Sequence, residues 1–203
     1  MKIKSFNSGK RLLVLAILLI TFSCKKDSAD FLITLPDPDP CANTVCLNGG
    51  HCVNGDCVCP EGYGGADCSQ QITPRKIKVT KIEVTKFPAT TGNGGGWDAS
   101  SGADIFPELS KGDAVLWKSS TYYENAGPSS VYAFNITPAI DLTEPQDQYT
   151  IRLYDYDSGL FESDDFMGEI IFTPYSKANG FPPVITLDAN AGVAFKLHLS
   201  YVW

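Results

Sequence analysis

The sequence is poor in residues that act as general bases, since its 203 residues include only two histidines. His51 lies inside a cysteine-rich stretch, and His198 is one of the polar residues of an alternating segment near the C-terminus. Neither histidine accompanies a recognisable nucleophile, so the sequence offers no constellation for nucleophilic or acid–base catalysis. We therefore expect a protein that is not an enzyme.

Basic residues are scarce beyond the N-terminus. Four basic residues among the first eleven precede an apolar run over residues 12–20, which Ser23-Cys24 closes. This layout predicts a signal peptide over residues 1–23, and the run is too short to span a bilayer comfortably as a permanent helix. Its removal leaves 12 basic and 23 acidic residues, a net charge of −11. Nucleic acid is therefore not expected as a partner, whereas metal cations are.

Cysteine is absent from residues 69–203, and six of the seven cysteines lie between Cys41 and Cys68. The intervals between these six contain four, five, four, one and eight residues. An even number of cysteines in so short a segment of an exported chain predicts a disulfide framework. A zinc site is the competing use of clustered cysteines, but the only nearby histidine is His51 and the chain is predicted to be exported.

The cysteine spacing over residues 41–68 resembles that of the epidermal-growth-factor-like (EGF-like) domain at every interval. Asn48-Gly49-Gly50, Cys59-Pro60 and Gly62-Tyr63-Gly64 also stand where that family places its turns. Six cysteines allow fifteen pairings. The resemblance implies three of them: Cys41 with Cys52, Cys46 with Cys57, and Cys59 with Cys68.

Cys24 follows a small residue and is left over when the other six cysteines are paired, so it resembles the lipid-modified cysteine of a bacterial lipoprotein. Thr21 departs from that family, which usually has leucine there. Ser23-Cys24-Lys25-Lys26-Asp27 is similar to the start of many surface lipoproteins of the Bacteroidota. The resemblance implies a lipid anchor on Cys24 in the bacterial outer membrane or at the cell surface. The alternative is an ordinary signal peptide followed by a free cysteine.

Two connecting segments are predicted. Residues 24–40 carry Pro36, Pro38 and Pro40 alternating with aspartates, a composition that favours an extended, semi-rigid tether. Residues 69–75 are expected to link the EGF-like domain to a second domain. About 135 residues follow Cys68, which is long enough for one domain with a hydrophobic core.

Helical periodicity is nearly absent after Ser69, and alternation of apolar and polar residues is frequent. Alternation of period two predicts half-buried strands. A switch in the apolar positions near Thr80-Lys81 predicts a β-bulge. Several short strands separated by turn-rich connections favour a β-sandwich. The predicted strands are at residues 77–87, 114–118, 131–136, 149–154, 168–173 and 192–203.

Two acidic loops in the second domain resemble the calcium-binding loops of C2 domains. The first runs from Trp97-Asp98 to Asp104, and the second contains Asp155-Tyr156-Asp157 and Asp164-Asp165-Phe166-Met167-Gly168. The resemblance implies an all-β chain, with an eight-stranded antiparallel C2-type sandwich of permuted (type II) strand order over residues 76–203. The calcium ligands that it implies are Asp98, Asp104, Asp155, Asp157 and Asp165. Asp164 is the alternative to Asp165, because this loop is two residues longer than the family's usual pattern.

Calcium suits these loops on chemical grounds as well. It takes six to eight hard oxygen ligands and tolerates irregular geometry. Five converging carboxylates would repel one another without a cation. One alternative makes Asp98 and Asp155 the acid pair of a glycosidase, but five clustered aspartates suit a metal better. A further alternative is a C2-like sandwich that has lost calcium, since aspartate and serine are also ordinary turn residues.

The expected function is binding at a membrane or cell surface. In C2 domains calcium bridges loop carboxylates to anionic phospholipid, and apolar loop tips enter the interface. Leu160-Phe161 stand in the middle of the second acidic loop, where they have no obvious core to join. We expect these two side chains to contact the membrane. The rival hypothesis is an adhesion or glycan-binding surface lipoprotein in which calcium only stiffens the loops.

Overall fold

The computed structural model describes residues 37–98, 101–157, 163–190 and 192–203. Apart from Asp37 and Pro38, these residues belong to the compact unit Asp39–Trp203. They form thirteen strands and one short 3₁₀ turn at Lys177–Asn179, so the expected all-β fold is confirmed. Across the described ranges, no helix has the length and apolar character needed to cross a membrane.

Residues 39–71, here called the cystine-rich module, contain four short strands. Three disulfides join Cys41 with Cys52, Cys46 with Cys57 and Cys59 with Cys68, which is the pairing that the EGF-like resemblance implied. The first two strands form a hairpin whose turn residues, Asn54 and Gly55, both have positive φ, as a tight two-residue hairpin turn requires. The strands are β1 (His51–Val53), β2 (Asp56–Val58), β3 (Tyr63–Gly64) and β4 (Gln70–Gln71).

The rest of the chain forms two antiparallel sheets. One has the order β11-β10-β6-β7, and the other has the order β12-β13-β5-β9. Strands β7 and β8 pair with different parts of β6, so they share one position and each sheet has four positions. The strands are β5 (Lys76–Lys86), β6 (Ala103–Lys111), β7 (Ala114–Lys118), β8 (Tyr123–Ala126), β9 (Tyr132–Leu142), β10 (Tyr149–Asp155), β11 (Asp165–Phe172), β12 (Val184–Asp188) and β13 (Ala194–Val202).

The core lies between the two sheets and is filled by the inward-facing residues of the alternating strands. In β5, Ile77 and Val79 are buried, and so are Ile82 and Val84, which have the opposite parity. The pairing of β5 with β9 shifts register between Val79 and Lys81, which confirms the predicted bulge. The extra residue returns the apolar side chains to the core face. Because the sheets are antiparallel, β13 ends beside the beginning of β5, with Tyr201 opposite Ile77.

Each strand prediction corresponds to an observed strand, but β6, β8 and β12 were not predicted.

The sandwich has two distinct ends. The acidic end contains the β5–β6 and β10–β11 connections, and Lys86 and Asp155 are the last residues of the strands that lead into them. The module end contains Lys76 and Tyr149, the first residues of the same strands.

Candidate metal centre

Three of the predicted ligands meet at the acidic end. Strand β10 delivers Asp155 as its last residue and Asp157 two residues later, while Asp98 comes from the β5–β6 connection. One carboxylate oxygen from each of Asp98, Asp155 and Asp157 lies within 4.8 Å of the others. Asp155 is buried, and the other two are half-buried. The group thus combines a fixed carboxylate in the interior with two carboxylates closer to solvent.

The carboxylate of Asp155 is only partly satisfied by the protein. The side chain is fully buried, and the backbone N–H of Asp104 donates a hydrogen bond to Oδ1. Within the described residues, Oδ2 is buried and has no hydrogen-bond partner. Leaving a buried polar oxygen unsatisfied costs about 1–3 kcal/mol, and more when the group is charged. A ligand that accepts electron density from Oδ2 would remove this cost.

The electrostatics of the group favour a cation. Burial, together with the negative charges of Asp98, Asp157 and Asp104, raises the pKa of Asp155 to about 6. The hydrogen bond from the Asp104 N–H acts in the opposite direction, because it stabilises the ionised carboxylate. Near neutral pH Asp155 is therefore an ionised carboxylate whose Oδ2 has no partner among the described residues, as expected where a divalent ion completes the charge balance.

Asp104 has a different role from the other three. Its Oδ1 accepts a hydrogen bond of 2.8 Å from the backbone N–H of Asn125, and its carbonyl accepts one of 2.8 Å from the N–H of Tyr156. Asn125 in turn accepts from the N–H of Gly102 at 3.3 Å, and its φ is 53°. Asp104 thus connects β8 and the start of the second acidic loop. Its carboxylate is not part of the group within 4.8 Å.

Asn125 is a site residue that the ligand prediction missed. Its sequence signal is the turn-prone Asn125-Ala126-Gly127-Pro128. Asparagine tolerates positive φ, and its side chain bonds readily to nearby backbone.

The two candidates at the start of β11 also lie outside the group. Asp165 is the register partner of Asp155 but is exposed. Asp164 Oδ2 lies 3.1 Å from Lys118 Nζ, and the same ammonium lies 4.5 Å from the centre of the Phe106 ring. Of the two alternatives, Asp164 therefore already has a cationic partner, whereas Asp165 stands directly across from Asp155.

The first acidic loop is anchored by side chains around Asp98. The Ser101 hydroxyl donates to Asp98 Oδ2 at 2.9 Å, and the Trp97 indole N–H donates to the carbonyl of Pro88 at 2.7 Å while the ring packs on the core. Asp98 is therefore held directly by Ser101 and indirectly by the anchored ring of its neighbour Trp97. The predicted membrane-contact residues Leu160 and Phe161, and the predicted lipidation site Cys24, lie outside the described residues.

Comparison with known proteins finds one family match and several similar solved structures. Residues 39–68 match the family model of the EGF-like domain. No curated protein matches the chain. Two solved C2 domains are similar in fold. The first, described as a C2 domain, has a TM-score of 0.40 and 14% identity over 63% of this chain and 98% of its own. A C2 domain of plant extended synaptotagmin 1 has a TM-score of 0.37 and 15% identity over 64% and 97%.

A human enzyme is also similar to this chain, but only over a small part of the enzyme's length. Human GIVD cytosolic phospholipase A2 has a TM-score of 0.39 and 15% identity, covering 64% of this chain but only 18% of its own. The chain is thus similar to an EGF-like domain followed by a C2-like sandwich.

Proposed function

We propose that this chain is a lipid-anchored extracytoplasmic surface protein whose sandwich binds calcium at the acidic end and, through calcium, anionic phospholipid. The observation that carries the proposal is the buried Oδ2 of Asp155, which has no protein partner among the described residues and belongs to a group of three carboxylates within 4.8 Å. The EGF-like match over residues 39–68 supports an extracellular or surface location.

Calcium fits this group better than a softer or smaller ion. All three side chains supply carboxylate oxygen, and calcium prefers hard oxygen ligands from flexible loops. Three carboxylates do not fill six to eight positions. Asp104, Asp165 and backbone carbonyls of the two loops are the candidates for further protein ligands, and Asp164 replaces Asp165 if it leaves Lys118.

An incompletely filled coordination shell gives the ion its second role. A phosphate oxygen of a lipid headgroup takes a remaining position, so the cation joins two anionic partners that would otherwise repel each other. Leu160 and Phe161 belong to the loop that carries Asp157, and we propose that they enter the apolar part of the interface.

The decisive test compares calcium binding in the full mature chain and in two aspartate variants. Calorimetric titration should detect millimolar or tighter binding by the parent and none by Asp155→Asn. Asp113→Asn is the matched control, because Asp113 is an exposed aspartate of the β6–β7 turn at the module end. A parent chain that does not bind calcium would contradict the proposal.

Two further measurements test the membrane steps. Co-sedimentation of the Cys24→Ala chain with phosphatidylserine vesicles should require calcium. In cells, Cys24→Ala should move the protein from the membrane fraction to the soluble fraction, because it removes the acylated thiol. Persistent membrane fractionation without lipid mass on the mature terminus would contradict the anchor.

A second candidate function is glycan binding, which one observation favours. A polar groove of about 450 Å³ lies between β9 and the edge formed by β7 and β8, and its lining includes Trp117, Tyr122, Tyr123, Asn135 and Thr137. Aromatic faces flanked by amide and hydroxyl groups suit a sugar ring. Binding here would persist in EDTA and would be lost in Trp117→Ala, whereas calcium-dependent lipid binding would not depend on Trp117.

A further inference from the structure

The groove between β9 and the edge formed by β7 and β8 is polar but uncharged. Among the described residues that line it, none carries a charge, and the lining consists of aromatic rings, hydroxyl groups, the amide of Asn135 and Ala133. The chain as a whole is acidic, with a net charge of −7. An acidic chain repels anions, and a lining without charges offers no counter-ion to a charged ligand. The groove therefore suits a neutral ligand that is rich in hydroxyl groups.

Tyr123 is an aromatic surface of the groove that the sandwich itself holds in place. Its side chain is 40% exposed, and its hydroxyl donates a hydrogen bond of 3.0 Å to the carbonyl of Ala133. This bond joins β8 of one sheet to β9 of the other. The ring also meets Phe134 edge to face, with 5.1 Å between the ring centroids. The position of Tyr123 therefore does not depend on the acidic end.

Tyr122, the neighbouring aromatic surface, is held from the acidic end instead. Its side chain is 39% exposed, and its ring stacks on that of Tyr156, with the centroids 4.5 Å apart and the planes 21° from parallel. Tyr156 stands between Asp155 and Asp157, two of the three carboxylates of the candidate metal centre. One wall of the groove is thus supported by a residue whose two neighbours are candidate calcium ligands.

The backbone of β8 supplies a second link between the groove and the metal centre. The N–H of Asn125 donates to Asp104 Oδ1 at 2.8 Å, and the N–H of Tyr156 donates to the Asp104 carbonyl at 2.8 Å. The N–H of Asp104 in turn donates to the buried carboxylate of Asp155. Residues 122–125 are therefore connected to the metal centre at both ends, by ring stacking at Tyr122 and by hydrogen bonds at Asn125.

A cation at the acidic end changes the restraints on Tyr156. Carboxylate oxygens of Asp98, Asp155 and Asp157 lie within 4.8 Å of one another, and like charges at this distance repel. A divalent ion replaces the repulsion by attraction to a common centre. Asp155 is already fixed by burial and by its hydrogen bond from Asp104. The ion therefore adds its restraint mainly at Asp157, and Tyr156 lies between these two ligands.

We propose that the groove binds a neutral oligosaccharide and that calcium at the acidic end strengthens this binding by fixing Tyr122 through Tyr156. The inference rests on the proposed function, because it requires calcium at the acidic end and develops the second candidate site. Without calcium, Trp117 and Tyr123 still contact the sugar, so binding persists but is weaker. With calcium, Tyr122 is in place before the sugar binds, so less conformational entropy is lost.

Two sites that are coupled in this way affect each other equally. Coupling between binding sites typically changes affinity by about 5–150-fold, and it is reciprocal. The sugar should therefore strengthen calcium binding by the same factor by which calcium strengthens sugar binding.

The experiment titrates the full mature chain by calorimetry with four linear neutral oligosaccharides, in millimolar calcium and in EDTA. The probes are laminarihexaose, cellohexaose, xylohexaose and mannohexaose. We expect at least one of them to bind, and to bind at least about fivefold more tightly in calcium. Absence of binding by all four in calcium would overturn the oligosaccharide assignment, and equal affinity in calcium and EDTA would overturn the coupling. Trp117→Ala should not bind the sugar in either condition, and calcium-dependent binding by this variant would place the sugar on the ion rather than in the groove.

Tyr156→Leu tests the link between the two sites. It removes the ring that stacks on Tyr122 and keeps both neighbouring carboxylates and the N–H that bonds to Asp104. Its sugar affinity in calcium should fall to the value in EDTA. Tyr154→Leu is the matched control, because Tyr154 stacks on Phe106 at 5.5 Å instead, and it should keep the difference of at least about fivefold. A Tyr156→Leu chain that keeps this difference would overturn the proposed route.

Hydrogen exchange tests the coupling without a sugar or a variant. In the parent chain, the backbone amides of residues 122–125 should exchange more slowly in calcium than in EDTA, because both of their links to the metal centre become more rigid. Unchanged exchange in a chain that binds calcium would refute the coupling and leave the proposed function intact. A parent chain that binds no calcium in calorimetry would instead refute the proposed function, and the coupling with it.

Discussion

The backbone N–H of Asp104 donates to the buried carboxylate of Asp155, so the start of β6 holds the end of β10 at the centre of the acidic end. One oxygen of Asp155 is thereby fixed, while the other remains buried without a partner among the described residues. This hydrogen bond between Asp104 and Asp155 explains how the β5–β6 and β10–β11 connections converge at the acidic end. It also leads to two predictions about the state without calcium.

The first prediction concerns Asp155→Asn, which should stabilise the chain in EDTA at neutral pH. The amide oxygen keeps the hydrogen bond from Asp104, and the amide N–H₂ replaces an unsatisfied anionic oxygen close to two other carboxylates. A pKa raised from 3.8 to about 6 corresponds to roughly 3 kcal/mol at pH 7, so we expect an increase of about 2–3 kcal/mol in the free energy of unfolding.

Urea denaturation of the parent and the variant in EDTA measures this change. In calcium the difference should disappear, because the parent gains about 2.7 kcal/mol at one hundred times its dissociation constant and the variant gains nothing. Asp113→Asn should match the parent under both conditions. A variant less stable than the parent in EDTA would show that the ionised Asp155 is already compensated.

The second prediction concerns pH. The folded chain holds a proton on Asp155 up to about pH 6, whereas the unfolded chain loses it near 3.8. The folded state therefore binds more protons between these values, and this residue makes stability in EDTA fall as pH rises from about 4 to about 6. Subtracting the profile of Asp155→Asn cancels the titrating groups that do not interact with Asp155, so the difference should be small at pH 4 and reach its full size above pH 6.

Calcium affinity should show the opposite trend. Below about pH 6 calcium has to displace the proton of Asp155, so affinity should fall by up to tenfold for each further pH unit. Titrations with calcium at pH 5, 6 and 7 check this directly. An affinity independent of pH over this range would mean that Asp155 is not a ligand.

The sequence predicted the acidic end better than the strands that build it. Asp98, Asp155 and Asp157 were all predicted from the C2-like loops, because their spacing follows from two contiguous motifs. Whether Asp164 or Asp165 is available depends on Lys118, which comes from the separate strand β7. The sequence has no signal for a contact between residues 46 positions apart.

Strand β6 was missed for a physical reason that the structure explains. It contains Pro107, and a proline in a central strand normally removes a ladder hydrogen bond. The carbonyl of Pro107 accepts from Ser119, on the side of β6 where β7 ends and β8 has not yet begun. The missing N–H faces this break, so the proline is tolerated at the centre of the sheet.

The aromatic junction, in which the ring of Phe181 contacts those of Tyr63, Tyr175, Tyr201 and Trp203, could not be predicted either. Gly62-Tyr63 was interpreted as a turn of the EGF-like family, and the pattern contains no indication that the same turn packs on Phe181 and Trp203, more than 115 residues later. Contacts of this kind depend on how the two parts meet, whereas the disulfide pairing depends only on residues within the module.

The third prediction tests the close approach at Gly62. Gly62→Ala should lower the free energy of unfolding by about 2–4 kcal/mol, since it combines a left-handed backbone conformation with overpacking against two rings. Gly94→Ala is the matched control, because Gly94 has a similar φ of 82° but no atom within 4 Å of the added Cβ. The control should lose only about 1 kcal/mol.

Limited proteolysis is a second measurement on the Gly62→Ala and Gly94→Ala variants. Residues 69–75 should become sensitive to cleavage in Gly62→Ala and remain protected in Gly94→Ala, because only the first weakens the aromatic junction. Equal stability losses in the two variants would mean that the conformation at Gly62 matters and its packing against Phe181 does not.

The last prediction concerns Leu160 and Phe161, which follow Asp157 in the second acidic loop. Complete burial of each side chain in a membrane interface would contribute about 2–3 kcal/mol, and partial burial less. Replacing both by serine should weaken calcium-dependent binding to phosphatidylserine vesicles by at least tenfold, which needs only about 1.4 kcal/mol. Neither side chain offers a ligand oxygen, so calcium affinity in solution should stay nearly unchanged. Exposed Val115 and Leu116 of β7 provide the control, since serine at both positions removes similar apolar groups away from the acidic loops. Loss of calcium binding in the Leu160→Ser, Phe161→Ser variant would show that the pair packs inside the loop, whereas unchanged vesicle binding would leave the calcium–phosphate contact as the whole of the membrane attachment.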